Sequence, residues 1–313
     1  MTIIKPARLA KGDVIGIAAP ASPPKSVAKL SRGIHYLERL GYHVLTGKHV
    51  NDKYGYLAGP DEARANDLNE LFADPRVKAI IAARGGYGAN RILPYIDYDL
   101  IRRNPKIFVG YSDITALQLA IFKMTGLVTI SGPMVATEFG GKFGRQAEEH
   151  FWRCLTSTQP LGLLKNPGRK KPRTLRTGNS VGQLLGGNLS MITSLLGTSY
   201  MPPVSESVLV LEEVDEPPYK VDRMLHHLKL AGVFSQCSAV ALGDFTTCRP
   251  SSRKTPSLTI PQILNAVFSD GSIPIVTGLH YGHVKGSLTL PFGIPVRLDA
   301  SKGGLEFLES AVQ

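Results

Sequence analysis

At 313 residues, with 43% hydrophobic residues and a mean hydropathy near zero, the chain has ample apolar material for a core and reads as two globular domains sharing a cleft. No stretch approaches the roughly 18 consecutive apolar residues of a membrane helix, so no membrane partner is expected; three widely spaced cysteines (Cys154, Cys237, Cys248) offer neither a disulfide framework nor a clustered metal site and fit a reducing cytoplasm. The net charge of +11 invites a nucleic-acid reading, but much of it crowds the stretch from Lys165 to Arg176 without interleaved aromatic residues, so no nucleic acid is expected and steering of a small carboxylate-bearing substrate is the better use of it.

Lys5, Arg8 and Lys11 ahead of Val14-Ile15-Gly16-Ile17-Ala18-Ala19 loosely mimic a signal peptide. The apolar run is too short and Gly12-Asp13 interrupts it, so it reads as a first buried strand. Residues 27–40 follow as an amphipathic helix stopped by Gly41, and residues 42–45 as a strand. Residues 60–72 read as a helix with proline in its first turn, and 77–83 as a continuous apolar strand. Strands alternating with helices imply right-handed crossovers and a parallel sheet, whose ligands gather at the carboxyl ends of the strands.

Two turns fall at such ends. Arg84-Gly85-Gly86-Tyr87-Gly88-Ala89-Asn90 follows the apolar strand; it lacks both the dinucleotide-binding spacing and a P-loop, and is either a plain tight turn or a source of exposed backbone N–H groups. The second turn follows the strand at 107–109, where Gly110-Tyr111-Ser112-Asp113 runs into an apolar helical segment at 114–124. A serine on such an elbow is lifted clear of the sheet beside unpaired helix N-terminal N–H groups, as a nucleophile requires. Ser and Asp there are also ordinary N-cap residues, and Ile114 replaces the second glycine of the usual Gly-x-Ser-x-Gly elbow.

The basic, Pro/Gly-containing stretch 161–180 reads as a linker between an N-terminal α/β domain (1–160), with a parallel sheet flanked by helices, and a smaller mixed α/β domain (181–313). The latter begins with a turn at Gly186-Gly187-Asn188 and a helix near 189–196. A strand at 208–211 ends in Glu212-Glu213, a helix near 221–231 and an apolar run at 239–242 follow, and a β-rich tail turns at Gly282, Gly286, Gly293 and Gly303.

A serine nucleophile needs a base, and a carboxylate to fix that base's tautomer. Of eight histidines, His280 and His283 lie in a turn between apolar strands, and spacing does not choose between them; His226 and His227 sit in a helix. Glu212 ends an apolar strand, where a half-buried acid needs a partner or a function; Glu213, Asp215 and Glu216 beside it also suit a solvated loop.

Taken in order, Arg84-Gly85-Gly86-Tyr87-Gly88 with Arg91-Ile92-Leu93-Pro94, Gly110-Tyr111-Ser112-Asp113, Gly186-Gly187-Asn188-Leu189, Leu211-Glu212-Glu213 with Arg223, and Gly282-His283 resemble the successive motifs of the LD-carboxypeptidase family of serine peptidases. The resemblance spans nearly the whole chain. It implies Ser112 as nucleophile, His283 as general base, Glu212 as the acid orienting it, and an oxyanion hole from the backbone N–H groups of Asp113 and of the Gly85-Gly86 turn. The family's Leu-Glu-Asp stands here as Leu211-Glu212-Glu213, which makes Glu213 the fallback acid. The implied reaction is release of terminal D-alanine from the murein tetrapeptides of cell-wall turnover, with no cofactor and no metal, by a homodimer. Relatives within the family instead cleave toxic peptidyl or aminoacyl nucleotide antibiotics and confer immunity, which is the alternative. A non-catalytic anion- or nucleic-acid-binding module is the reading from a different class.

Overall fold

The computed structural model describes residues 2–168, 171–252 and 256–313. In the first half, four strands form where the apolar runs predict them, β1 (Val14–Ala18), β2 (His43–Thr46), β3 (Val77–Ala82) and β4 (Ile107–Gly110), and a fifth that the sequence reading did not mark, β5 (Thr129–Ser131), follows. Nine more follow: β6 (Gly162–Leu163), β7 (Arg173–Arg176), β8 (Asn179–Asn188), β9 (Ser207–Val214), β10 (Ala239–Thr246), β11 (Ile275–Thr277), β12 (Leu290–Phe292), β13 (Pro295–Asp299) and β14 (Gly304–Phe307). They make a six-stranded sheet in the order β12-β5-β4-β3-β1-β2 and an eight-stranded sheet in the order β6-β14-β13-β8-β9-β10-β11-β7.

The first sheet is parallel except for β12, which runs antiparallel to β5. Its inner strands β1, β3 and β4 are apolar at nearly every position because both faces are covered. Ile80 and Phe108 pack into one core, and Ala79, Ile81, Ile107 and Val109 into the other. Both cores continue through the second sheet, with Leu209 and Leu211 on one side and Val208 and Val210 on the other. The helices Val27–Arg39, Asp61–Ala73 and Thr115–Thr125 fall close to their predicted positions. Among the described residues, no helix is long and apolar enough to cross a membrane.

The structure redraws the second half in four places. The stretch 161–180 is not merely a linker: β6 and β7 form opposite edges of the eight-stranded sheet, and β8 starts at Asn179. Leu175 is partly buried against the core while its arginine neighbours mask the pattern, which is why composition suggests a connector. Arg169 and Lys170 of that stretch lie outside the described residues. Gly186-Gly187-Asn188 is the end of β8 rather than a turn. A Cβ at Gly187 would stand 2.6 Å from Thr115 Oγ1, so the glycine marks close approach of this strand to the elbow helix. The second sheet is the larger of the two, and its centre, β8 to β11, is parallel. Finally, the chain returns from β11 to place β12 in the first sheet, so the segment 181–313 is not confined to one layer.

Candidate active site

Strand register brings the two suspected turns together. Ala79, Ile80 and Ile81 of β3 pair with Ile107, Phe108 and Val109 of β4, so the glycine turn and the Ser112 elbow leave adjacent carboxyl ends. Ser112 has φ +65°, a left-handed conformation uncommon for a residue with a Cβ, held by a single 3₁₀ turn, Ser112–Ile114, ahead of the helix Thr115–Thr125. Its side chain does not cap that helix. Gly85 lies against the hydroxyl: a Cβ there would fall 3.2 Å from Ser112 Oγ and 3.0 Å from its Cβ. Only a glycine lets backbone approach the serine so closely.

The glycine turn is braced from both sides. Ser22, after β1, donates its N–H to the Gly85 carbonyl at 3.3 Å and accepts from Tyr87 N–H at 3.1 Å. The buried Asp113 carboxylate accepts from Ala89 N–H at 2.8 Å, tying the elbow to the turn, and burial raises its pKa above the ordinary carboxylate range.

His283 lies on the connection from β11 to β12, where the chain crosses from one sheet to the other. Its Nε2 stands 2.9 Å from Ser112 Oγ and its Nδ1 2.8 Å from Glu212 Oε2. Facing a carboxylate, Nδ1 carries the proton; Nε2 is then the acceptor for the serine O–H. Burial alone would lower the imidazole pKa, but the hydrogen bond and charge of Glu212, with Glu213 and Glu138 behind it, leave it raised. Gly282, at φ +118°, opens the space: a Cβ there would sit 2.6 Å from Glu212 Oε2.

The two acids at the end of β9 have different surroundings. The Glu212 side chain is 1% exposed and its second oxygen accepts from Asn188 Nδ2 at 3.2 Å. Glu213 takes Ser190 N–H and Oγ–H at 2.8 and 2.6 Å, Asn188 Nδ2 at 2.9 Å and Val214 N–H at 2.9 Å. It therefore anchors the start of the helix Leu189–Leu195, and burial raises its pKa. His280 is turned elsewhere, with Nε2 3.0 Å from the Lys285 carbonyl oxygen. His226 and His227 lie on the helix Pro218–Leu230, outside the Ser112–His283–Glu212 chain.

Three contributors escaped the sequence reading of roles. Asn188 holds both acids, Tyr111 lies with its ring centroid 5.1 Å from that of His283, and Glu138 accepts the Tyr111 hydroxyl at 2.9 Å. Among the described residues, no group of three or more His, Cys, Asp and Glu is arranged to hold a metal ion.

A hydroxyl linked through imidazole to a buried carboxylate, beside a glycine turn, is an arrangement that can perform acyl transfer. Comparison with known proteins agrees in class. Residues 15–132 match the LD-carboxypeptidase N-terminal domain and 181–298 the LD-carboxypeptidase C-terminal domain. The "Probable murein peptide carboxypeptidase" of Bacillus subtilis is 39% identical over 95% of this chain and 92% of its own. The Microcin C7 self-immunity protein MccF of Escherichia coli is 31% identical over 97% of this chain and 95% of its own; its wild-type apo structure superposes with TM-score 0.88 at 30% identity, covering 99% and 100% of the two chains. The muramoyltetrapeptide carboxypeptidase of Oxalobacter formigenes superposes with TM-score 0.82 at 33% identity, covering 94% and 97%. The chain belongs to the LD-carboxypeptidase family of serine peptidases.

Proposed function

We propose that the protein is a serine LD-carboxypeptidase that releases terminal D-alanine from murein tetrapeptides in peptidoglycan recycling. The observation that carries the mechanism is the unbroken chain Ser112 Oγ, His283 Nε2, His283 Nδ1 and Glu212 Oε2, with links of 2.9 and 2.8 Å. In this reading Ser112 attacks the scissile carbonyl as His283 takes its proton, and the tetrahedral oxyanion is met by backbone N–H groups of Asp113 and the Gly85-Gly86 turn. His283 then protonates the departing D-alanine amine, water enters, and a second proton transfer through His283 releases the peptide acid from Ser112. Glu212 stabilises the imidazolium formed at each attack. The murein carboxypeptidase relatives support the substrate class.

The likeness to MccF favours a second reading, an immunity hydrolase cleaving peptidyl or aminoacyl nucleotide antibiotics of the microcin C type. One assay separates them: incubation with a tetrapeptide ending in D-alanine, with its L-alanine epimer, and with an aminoacyl sulfamoyl adenylate. Release of D-alanine alone supports the carboxypeptidase; cleavage of the adenylate alone replaces it with the immunity reading.

A further inference from the structure

Three arginines surround the glycine turn, and Asp61 neutralises two of them. It pairs with Arg64 and, at 2.7 Å, with Arg91. Arg64 is further occupied by the carbonyls of Gly59, Gly88 and Pro20. Arg84, the first residue of the turn, differs. Its Nη1 donates to the Pro23 carbonyl at 3.2 Å, and among the described residues it makes no ion pair with a carboxylate. Burial depresses its pKa, so its loss of water is not balanced by a nearby anion. A guanidinium has five N–H donors, and one carbonyl leaves most of them for a ligand. Withdrawing such a charge from water is costly until an anion supplies the missing partner.

Position gives the anion its place. Arg84 Nη2 lies 3.4 Å from the point where a Cβ of Gly86 would stand, and the equivalent point on the adjacent Gly85 lies 3.2 Å from Ser112 Oγ. Guanidinium and hydroxyl therefore flank one two-residue segment, buried at Gly85 and exposed at Gly86. Consecutive residues are about 3.8 Å apart, so the two groups lie within a few residue lengths of each other. That is the scale of a bound terminal residue, whose carboxylate lies one residue beyond the scissile carbonyl. Planar carboxylates are the natural partners of a guanidinium fork.

We propose that Arg84 binds the C-terminal carboxylate of the peptide substrate and so restricts the enzyme to the last peptide bond. This rests on the carboxypeptidase reading above and specifies what makes the site an exopeptidase. Arg84 then acts as a specificity residue, touching substrate but taking no proton.

The test compares kcat/KM for a D-alanine-terminated tetrapeptide as free acid and as C-terminal amide, with wild-type protein, Arg84→Gln and Arg84→Lys. Wild type is expected to prefer the acid by about 10²-fold, the scale of losing one member of a desolvated charge pair. Arg84→Gln should lower turnover of the acid by about that factor and of the amide by less than about threefold, so the preference collapses. Arg84→Lys, which keeps the charge and loses the fork, should fall between on the acid and covers the case in which the glutamine variant does not fold. Equal losses on acid and amide in either variant, or a wild type indifferent to the terminal charge, would overturn the assignment while leaving the carboxypeptidase reading standing. If wild type cleaves neither peptide, that reading falls and the Arg84 inference with it.

Discussion

Glu212→Gln tests the site at its least exposed point. Glu212 Oε1 accepts from Asn188 Nδ2 and Oε2 faces His283 Nδ1, so both oxygens serve as acceptors. A glutamine amide has one acceptor and one donor end. With its oxygen toward Asn188, its NH₂ faces Nδ1, and the imidazole must hold its proton on Nε2, where it meets the serine hydroxyl as a second donor. With its oxygen toward His283, two NH₂ groups oppose each other in a buried space. Either state removes the anion that stabilises the imidazolium, and the first also gives the wrong tautomer. The expected loss is roughly 10⁴-fold in kcat, on the precedent of the equivalent change in a Ser-His-Asp triad, or about 5.4 kcal/mol of barrier. The assay is D-alanine release from tetrapeptide, with thermal unfolding to show that packing is kept. Glu213→Gln is the control: its carboxylate does not touch His283, so activity should fall less than about tenfold while the anchored helix loosens and Tm drops. Greater damage from Glu213→Gln than from Glu212→Gln would refute the assignment of the acid.

Ser112→Ala and His283→Ala should each lower turnover by roughly 10⁴- to 10⁶-fold without unfolding the protein; more than a tenth of activity left in Ser112→Ala would end the serine mechanism. In wild type, the base must be neutral and its pKa is raised above the usual value of about 6.5, so kcat/KM should climb with pH through a limb above that value. Residual activity of Glu212→Gln should show this limb moved to lower pH, because burial then acts without the carboxylate; a pH–rate profile measures both. Gly282→Ala places a methyl 2.6 Å from Glu212 Oε2 at a positive φ, so a strain of roughly 1–3 kcal/mol should lower Tm and displace His283; unchanged Tm and rate would count against the tight fit described. Inverting the terminal centre to L-alanine should cost at least about 10²-fold in kcat/KM, the scale of an ångström's misplacement at the reacting atoms, and equal cleavage of both epimers would contradict LD specificity.

The short, polar-ended β5 and the returning β12 of the first sheet were not legible; β1 to β4 were, because they are short apolar runs alternating with helical segments, and strand ends are where such sheets gather ligands. Ser112 stood out for the same reason, whereas its φ of +65° and the nearness of Gly85 are tertiary facts that no local pattern carries. The choice between His280 and His283 lay beyond spacing. Two residues separate them in one turn, and only the crossing of the chain between sheets aims one at Ser112. β6 and β7 were hidden because edge strands can be short and charged, which is how they avoid unwanted pairing. Arg64 was invisible: on an amphipathic helix an arginine reads as solvent-facing, yet its side chain is fully buried behind the glycine turn.

The return of the chain from β11 to β12 sets the order in which the enzyme can come into being. A polypeptide emerges from the ribosome N-terminus first, so the nucleophile elbow and Glu212 exist long before His283 does. Until β12 arrives, the sheet that holds Ser112 ends at β5, a strand buried in the finished fold and left with one unpaired side. An unfinished chain therefore carries an open, sticky border together with an inert serine. The segment that closes the border also brings His283 to Ser112, so on the proposed mechanism folding of the last part and the onset of hydrolysis are one event. On the proposed mechanism, a nascent molecule therefore has no base with which to attack a peptide before its architecture is complete.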